Sequence, residues 1–417
     1  MCRSIESLTT TSFRRRPKSS LQRPIRVGTQ TGRVTSVQTL HRRKAIRCHL
    51  SISLILRPLR QANLTMTAPF ARERHLAELA VLRASILTKK VLSTVSAVTK
   101  ADASPVTVAD FAAQALLIGT LRDVFPGDAF LGEEASEALR SDASLRDRVW
   151  ELVSSASLAD PESGEVLATP ASVEEMLELI DLGGHGQGGP TGRFWVMDPI
   201  DGTATFLRGE QYAVSLALIE DGREVLGVLG CPNLRLQDGK VTETSVDTEG
   251  LGIMLSAVKG QGSSIRSMNA SGLESAHPIE PLKAASNLKD LHIIDCLQSK
   301  SSRHDLIRQL ADKFGAPFPS TDVWSSHIRY AALIVGGGDL HVRIPAKLET
   351  KTYVWDHAGA QLIFTEAGGK VTDLDGRPID FGAGRDLSQN RGLVAARESV
   401  HEAVLEELSA ILKGASY

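Results

Sequence analysis

The stretch Arg193-Phe-Trp-Val-Met-Asp198-Pro-Ile-Asp201-Gly-Thr203 constrains this chain more than any other. Its apolar run has the composition of a buried strand and stops at Asp198, where Pro199 and Gly202 force a turn. That turn carries two carboxylates and a hydroxyl. Hard divalent cations are held by several oxygens, and ligands on a short turn at a strand end converge without helix or sheet geometry opposing them. Pro199 sets one backbone angle, while Gly202 removes the side chain that would crowd an incoming phosphate. An acidic surface turn in which Asp198 bonds its own backbone uses the same residue types. The full order D-P-I-D-G-T after an apolar strand favours the cation.

At 417 residues the chain is long enough for a sizeable core, as two or three domains or one large α/β unit. A content of 42% hydrophobic and 23% charged residues is that of an ordinary soluble protein. No window approaches the roughly 18 uninterrupted apolar residues of a spanning helix, so no membrane-embedded state is expected. The net charge of −2 hides an asymmetry: residues 1–65 carry 14 Lys and Arg against one acid, Glu6, leaving 33 basic and 48 acidic residues in the body. An acidic body argues against a nucleic-acid partner and is compatible with cation sites. Cys2, Cys48, Cys231 and Cys296 show no C-x-x-C or zinc spacing. They imply no disulfide framework, and a reducing compartment fits them best.

Residues 1–65, with Arg14-Arg15-Arg16 and Arg42-Arg43-Lys44, are excluded from fold reasoning as a disordered leader. Two readings stand open: an organelle transit peptide, implying a mitochondrial location, or translation starting at Met66, implying a cytoplasmic one. An amphipathic helix is expected over about 73–96, and a second follows a Thr107 cap, with Asp110 in its first turn and Pro126-Gly127 ending it. Residues 129–134 form a short strand ending in Glu133-Glu134. Residues 136–192 are expected as helices around a loose insertion, with 183–190 a flexible linker and His185 solvated. Segments 212–219 and 225–230 flank Glu220-Asp-Gly-Arg223 as a hairpin, 251–258 is a further strand, and loops with one edge strand run to about 288.

From Leu291-His-Ile-Ile-Asp-Cys296 strands alternate with helices. Ser302 is the expected cap of a helix to Gly315, a helix spans about 325–335, and 339–343 is a strand. A buried helix starts near Asp356 and closes at Gly368-Gly369; the strand 392–396 and the helix 400–412 end the pattern. No internal repeat is found. The expected division is a leader (1–65), an N-terminal α+β half (66–288) and a C-terminal α/β half (289–417).

With Gly132-Glu133-Glu134, Asp198-Pro-Ile-Asp-Gly-Thr203 and Trp355-Asp-His-Ala-Gly in that order, the chain resembles the lithium-sensitive, magnesium-dependent phosphatases of the inositol monophosphatase superfamily. Ser104–Gln114, Phe206–Gln211, Gly230-Cys-Pro-Asn233 and Asp380-Phe-Gly-Ala-Gly-Arg385 are similar to the 3'(2'),5'-bisphosphate nucleotidases within it. The resemblance implies a layered αβαβα sandwich of mixed α/β (α+β) class, and a monomer. It implies two or three Mg2+ ions held by Glu133, Asp198, Asp201, Asp356 and the Ile200 carbonyl. Asp110 with Thr203 would then position and deprotonate the attacking water, consistent with metal-assisted in-line displacement. Substrate recognition would fall on Thr203, His304, Ser326, Arg329, Arg343 and Asp356, Arg being suited to bidentate phosphate contact.

The chain has Ser325-Ser326-His327 and Arg329 where the family has Asp-Ser-Gln and a Lys, and Gly-Thr-Ala-Thr-Phe206 where Gly-Thr-Lys-Gly-Phe is typical. The implied reaction is hydrolysis of the 3'-phosphate of adenosine 3',5'-bisphosphate to AMP, and also of its sulfated form. The rivals are an inositol phosphate phosphatase with the same metal machinery, and a catalytically silent nucleotide-binding sensor.

Overall fold

A computed structural model describes residues 68–92, 97–99, 105–347 and 349–415. The basic leader, Met66, Cys2, Cys48 and Ser104 lie outside the described residues, as does the side chain of Thr107. Helix α1 (Ala71–Leu92) precedes a ribbon of β1 (Ala97–Thr99) and β2 (Pro105–Thr107) that runs straight into α2 (Val108–Val124). Next come β3 (Ala129–Gly132), helices α3 (Glu137–Ser141), α4 (Ala143–Ser155), α5 (Pro161–Glu165) and α6 (Val173–Gly184), and β4 (Arg193–Asp201). The short helix α7 (Thr203–Leu207) leads to β5 (Ala213–Glu220), β6 (Arg223–Cys231), β7 (Ile253–Val258), β8 (Ser263–Asn269), β9 (Gly272–Leu273) and β10 (His277–Pro278). The remainder is β11 (Ile293–Asp295), α8 (His304–Phe314), β12 (Thr321–Asp322), α9 (Ser326–Val335), β13 (Leu340–Arg343), α10 (Ala358–Glu366), β14 (Gly369–Thr372), β15 (Leu393–Arg397) and α11 (Glu398–Gly414).

The first sheet runs β10-β8-β7-β6-β5-β4-β3, antiparallel except for the parallel pair β3–β4, with β9 pairing β8. A second sheet runs β12-β11-β13-β15-β14, parallel among its first three strands and antiparallel among its last three. Helices α1 and α2 pack against each other and on one face of the first sheet, α9 and α10 lie between the sheets, and α8 and α11 cover the outer face of the second. The result is the expected αβαβα layering. With helices on both of its faces, β4 is buried almost end to end, which is why it reads as an unbroken apolar run. Among the described residues no helix is long and apolar enough to cross a membrane.

Several expectations need correction. Residues 183–190 are not a loose linker: α6 extends to Gly184, and the Gly183 and Gly186 carbonyls accept hydrogen bonds from Arg385. His185 is exposed but not solitary, its Nε2 lying 2.9 Å from Glu137 Oε1. The cap position of α8 is Arg303, not Ser302, which is drawn instead into a bridge with Pro345. The Gly- and Ser-rich region before 288 holds three strands, one of them the seven-residue β8, in which the buried Ser264 Oγ is bonded to Ser256 Oγ. Strands β12 and β14 have no counterpart among the expected elements.

One close approach sets the depth at which α10 meets the first sheet. A Cβ on Gly227, in β6, would stand 2.3 Å from the carbonyl oxygen of Gly359 in α10. Only a hydrogen at that position lets the helix backbone lie on the strand. Gly227→Val should therefore lower stability in urea unfolding by about 1–3 kcal/mol or more through overpacking. A variant as stable as the parent would show that this contact yields freely.

Candidate active site

Asp198 and Asp201 are three residues apart, and in a regular strand an odd separation points side chains to opposite faces. The register of β4 against β5 changes between them: Asp198 pairs with Ser215, but Asp201 pairs with Ala213, so β4 advances three residues while its partner advances two. This bulge falls on Pro199, which has no N–H to give the ladder, and bulges re-aim side chains in this way. Gly202 then takes a left-handed conformation (φ +92°) as the residue that opens α7. The chain thereby delivers both carboxylates and Thr203 within one turn.

Other elements bring further carboxylates to the same place. Glu133 follows directly on β3, the parallel neighbour of β4. Asp110 lies buried in the first turn of α2, and Asp356 ends a short 3-10 turn (Val354–Asp356) just before α10. Burial first, and then the charges of Glu133, Asp201, Asp356 and Asp110, push Asp198 well above the usual carboxylate range. Burial and Asp201 likewise raise Asp356 to about 6, against the opposing pull of Arg343. The charges of three other expected metal positions and of the expected base thus all bear on Asp198.

Each of the three aspartates has one oxygen committed to a backbone N–H. Asp198 Oδ1 accepts from Ile200 N at 3.1 Å, Asp356 Oδ2 from Tyr353 N at 3.4 Å, and Asp201 Oδ2 from His327 N at 2.6 Å and also from the Ser325 hydroxyl. Ser325 is the N-cap of α9, so Asp201 sits at the positive end of that helix. The second oxygen of each aspartate bonds none of the described residues, which fits a hard cation held by oxygen donors. The Ile200 carbonyl also faces this turn and accepts from Thr203 Oγ1 at 3.3 Å.

A tighter group lies elsewhere: Glu137, Asp181 and His185 offer ligand atoms within 4.8 Å of one another. It is accounted for without a cation. Asp181 accepts from Ser136 and Arg140, and His185 bonds Glu137.

The expected substrate residues fall into two sets. Arg343, half-buried on β13, interacts electrostatically with Asp356 and Arg329, and Nη2 reaches the Lys351 carbonyl at 3.4 Å. Arg329 turns back on its own helix start, donating to the Val323 and Trp324 carbonyls at 3.1 and 2.8 Å and to Ser326 Oγ at 2.9 Å. Its Nε, like that of Arg343, is buried without a hydrogen bond. Ser326 is the first residue of α9 and is not its cap. His304, at the start of α8, is placed with Asp295 and Ser299, its ring nitrogens 2.6 Å from Asp295 Oδ2 and 2.7 Å from the Ser299 carbonyl. Sequence reasoning missed Ser325 and His327 as the residues that orient Asp201. The signal was present as a Ser at a helix start, but nothing local connects it to a carboxylate 124 residues away.

Comparisons with known proteins agree on what this architecture is. Residues 72–413 match the inositol monophosphatase family model. A 3'(2'),5'-bisphosphate nucleotidase of Emericella nidulans is 39% identical over 352 residues, spanning 82% of this chain and 99% of the relative. One of Schizosaccharomyces pombe is 41% identical over 350 residues, 82% of this chain and 96% of the relative. Among solved structures, the Thermotoga maritima IMPase shares the fold at a TM-score of 0.51 and 18% identity, covering 80% of this chain and 96% of its own. The chain belongs to the inositol monophosphatase family.

Proposed function

We propose that this protein hydrolyses the 3'-phosphate of adenosine 3',5'-bisphosphate, giving AMP and phosphate, and acts also on 3'-phosphoadenylyl sulfate. The observation that carries the reading is the convergence of the charges of Glu133, Asp201, Asp356 and Asp110 on Asp198, with one oxygen each of Asp198, Asp201 and Asp356 held by a backbone donor. The names of the curated relatives support the nucleotide as substrate.

Glu133, Asp198, Asp201, Asp356 and the Ile200 carbonyl would hold two or three magnesium ions. When bound, such ions supply positive charge against the phosphoryl and leaving oxygens. The remaining work falls to the chain itself. Asp110 accepts a proton from the attacking water, and Thr203 Oγ1, whose own hydrogen points to the Ile200 carbonyl, accepts the water's other hydrogen bond. Water oxygen bonds to phosphorus as the ribose 3'-oxygen leaves with a proton from solvent, so no covalent phosphoenzyme forms. Arg343 and Arg329 supply charge to the substrate phosphates. For His304 to contact substrate, one of its two present hydrogen bonds must be exchanged.

Protein beginning at Met66 should release phosphate from adenosine 3',5'-bisphosphate in magnesium, with inhibition by lithium and little turnover of inositol 1,4-bisphosphate measured alongside. The opposite preference would favour the inositol phosphate reading; nucleotide binding without turnover would favour a silent sensor. Asp110→Asn should lower kcat about 100-fold or more, and Thr203→Ala about tenfold, with unfolding temperatures close to the parent's. Full turnover in either variant would remove that residue from the mechanism.

The charge on His304 generates a separate expectation. Burial opposes protonation, but the Ser299 carbonyl and Asp295 outweigh it and raise the pKa above 6.5. A raised folded-state pKa contributes stability that is fully present below pH 6.5 and is lost as pH climbs through the folded value. The gap in unfolding midpoint between the parent and His304→Gln should therefore be widest near pH 6 and shrink by about pH 9. A gap that is flat or grows with pH would contradict the doubly bonded imidazolium.

A further inference from the structure

We propose that Arg385 is a positioning residue that ties the Glu133 and Asp356 segments together, fixing the separation of two carboxylates that no strand pairing connects. The inference rests on the metal-dependent reading above.

Arg385 lies in the connection between β14 and β15, far in sequence from either carboxylate. Its Nη2 donates to the Gly132 carbonyl at 2.9 Å, and its Nη1 to the Gly186 and Gly183 carbonyls at 2.7 and 3.3 Å. The guanidinium carbon stands 4.7 Å from the centre of the Trp355 ring. That indole also stacks on Tyr353, with ring centres 4.7 Å apart and planes within 3°. The indole thus meets both a guanidinium and a phenol ring. Backbone bonds lock the same segments, Val354 N donating to the Arg385 carbonyl at 3.1 Å and Leu387 N to the Thr352 carbonyl at 2.8 Å.

Gly132 and Trp355 are each one residue before a carboxylate, Glu133 in one case and Asp356 in the other. On the far side of Glu133, Gln114 bonds both the N–H and the carbonyl of Glu134, at 3.0 and 2.6 Å. Glu133 is exposed, yet its two neighbours are pinned, one by Gln114 and the other by Arg385. In a region crowded with acids, the hydrogen bonds of Arg385 go to three carbonyls and its face to an indole. A planar fork can make these contacts together; an ammonium cannot.

The test is direct Mn2+ binding to the full chain, followed by the electron paramagnetic resonance of the free ion, together with steady-state kinetics on the nucleotide. In Arg385→Lys, Mn2+ affinity should fall about tenfold or more, with the metal concentration for half-maximal turnover rising in parallel. KM for nucleotide at saturating metal should stay within about twofold, since the hydrogen bonds of Arg385 go to protein carbonyls and its face to an indole. Millimolar guanidinium should restore part of the lost affinity to Arg385→Ala. If Arg385→Lys does not fold, Trp355→Leu, which removes the stacking face and leaves the carbonyl bonds, carries the same expectation. Mn2+ affinity unchanged in the folded variants, whatever happens to turnover, overturns the positioning role alone. A parent protein that binds no Mn2+ overturns the metal reading and this inference with it.

Discussion

Repulsion among carboxylates gathered at one place, with Asp110, Asp198 and Asp201 buried, is the constraint around which the rest of this molecule is arranged. The bulge at Pro199 turns Asp198 and Asp201 to the same side, and the β3–β4 pairing and the turn before α10 bring Glu133 and Asp356 to them. Such a group is costly to assemble unless its charges are compensated, and the upward shifts of Asp198 and Asp356 register that cost. The fold responds with backbone N–H groups, a helix N-terminus at Asp201, and Arg343 beside Asp356. What remains is an excess of negative charge held in a fixed shape, which is the property a cation site requires.

The two sheets contribute differently to that shape. The first, through β3 and β4, supplies Glu133, Asp198 and Asp201 from adjacent strands, so their spacing follows from ladder geometry. The second supplies no ladder contact to them. Its side of the site arrives mainly through loops and helix starts, Asp356 before α10 and Ser325 and His327 at α9, with Arg343 alone on a strand, as the last residue of β13. Loops locate side chains less firmly than paired strands do. Cross-links such as Ser325 to Asp201 and Arg385 to Gly132 join the two contributions. The close contact of Gly227 with Gly359 sets how deeply α10, and Asp356 before it, sits on the first sheet.

How much of this was legible beforehand divides along the same line. The apolar run ending in D-P-I-D-G-T exposes the strand, the break and the two carboxylates, because turn chemistry is local. The layered α/β pattern is legible for a similar reason, since helix and strand periods are properties of short windows. The second oxygen-holding layer is not. Ser325 is the cap of α9, and only the folded chain shows that its hydroxyl also orients Asp201. Residues 183–190 read as a flexible linker because eight residues rich in glycine usually are one; a guanidinium two hundred residues away holds the Gly183 and Gly186 carbonyls. For Arg329 and His304 the resemblance implies a role toward substrate, whereas the carbonyls and the Asp295 carboxylate that engage them cannot be inferred from spacing.

The most direct measurement is the anomalous scattering of crystals grown in Mn2+. The account requires manganese peaks bounded by Asp198, Asp201, Asp356 and Glu133, with the Asp201 oxygen bonded to Ser325 turned away from the ion. Manganese confined to Glu137, Asp181 and His185, or absent from the turn after β4, would contradict it.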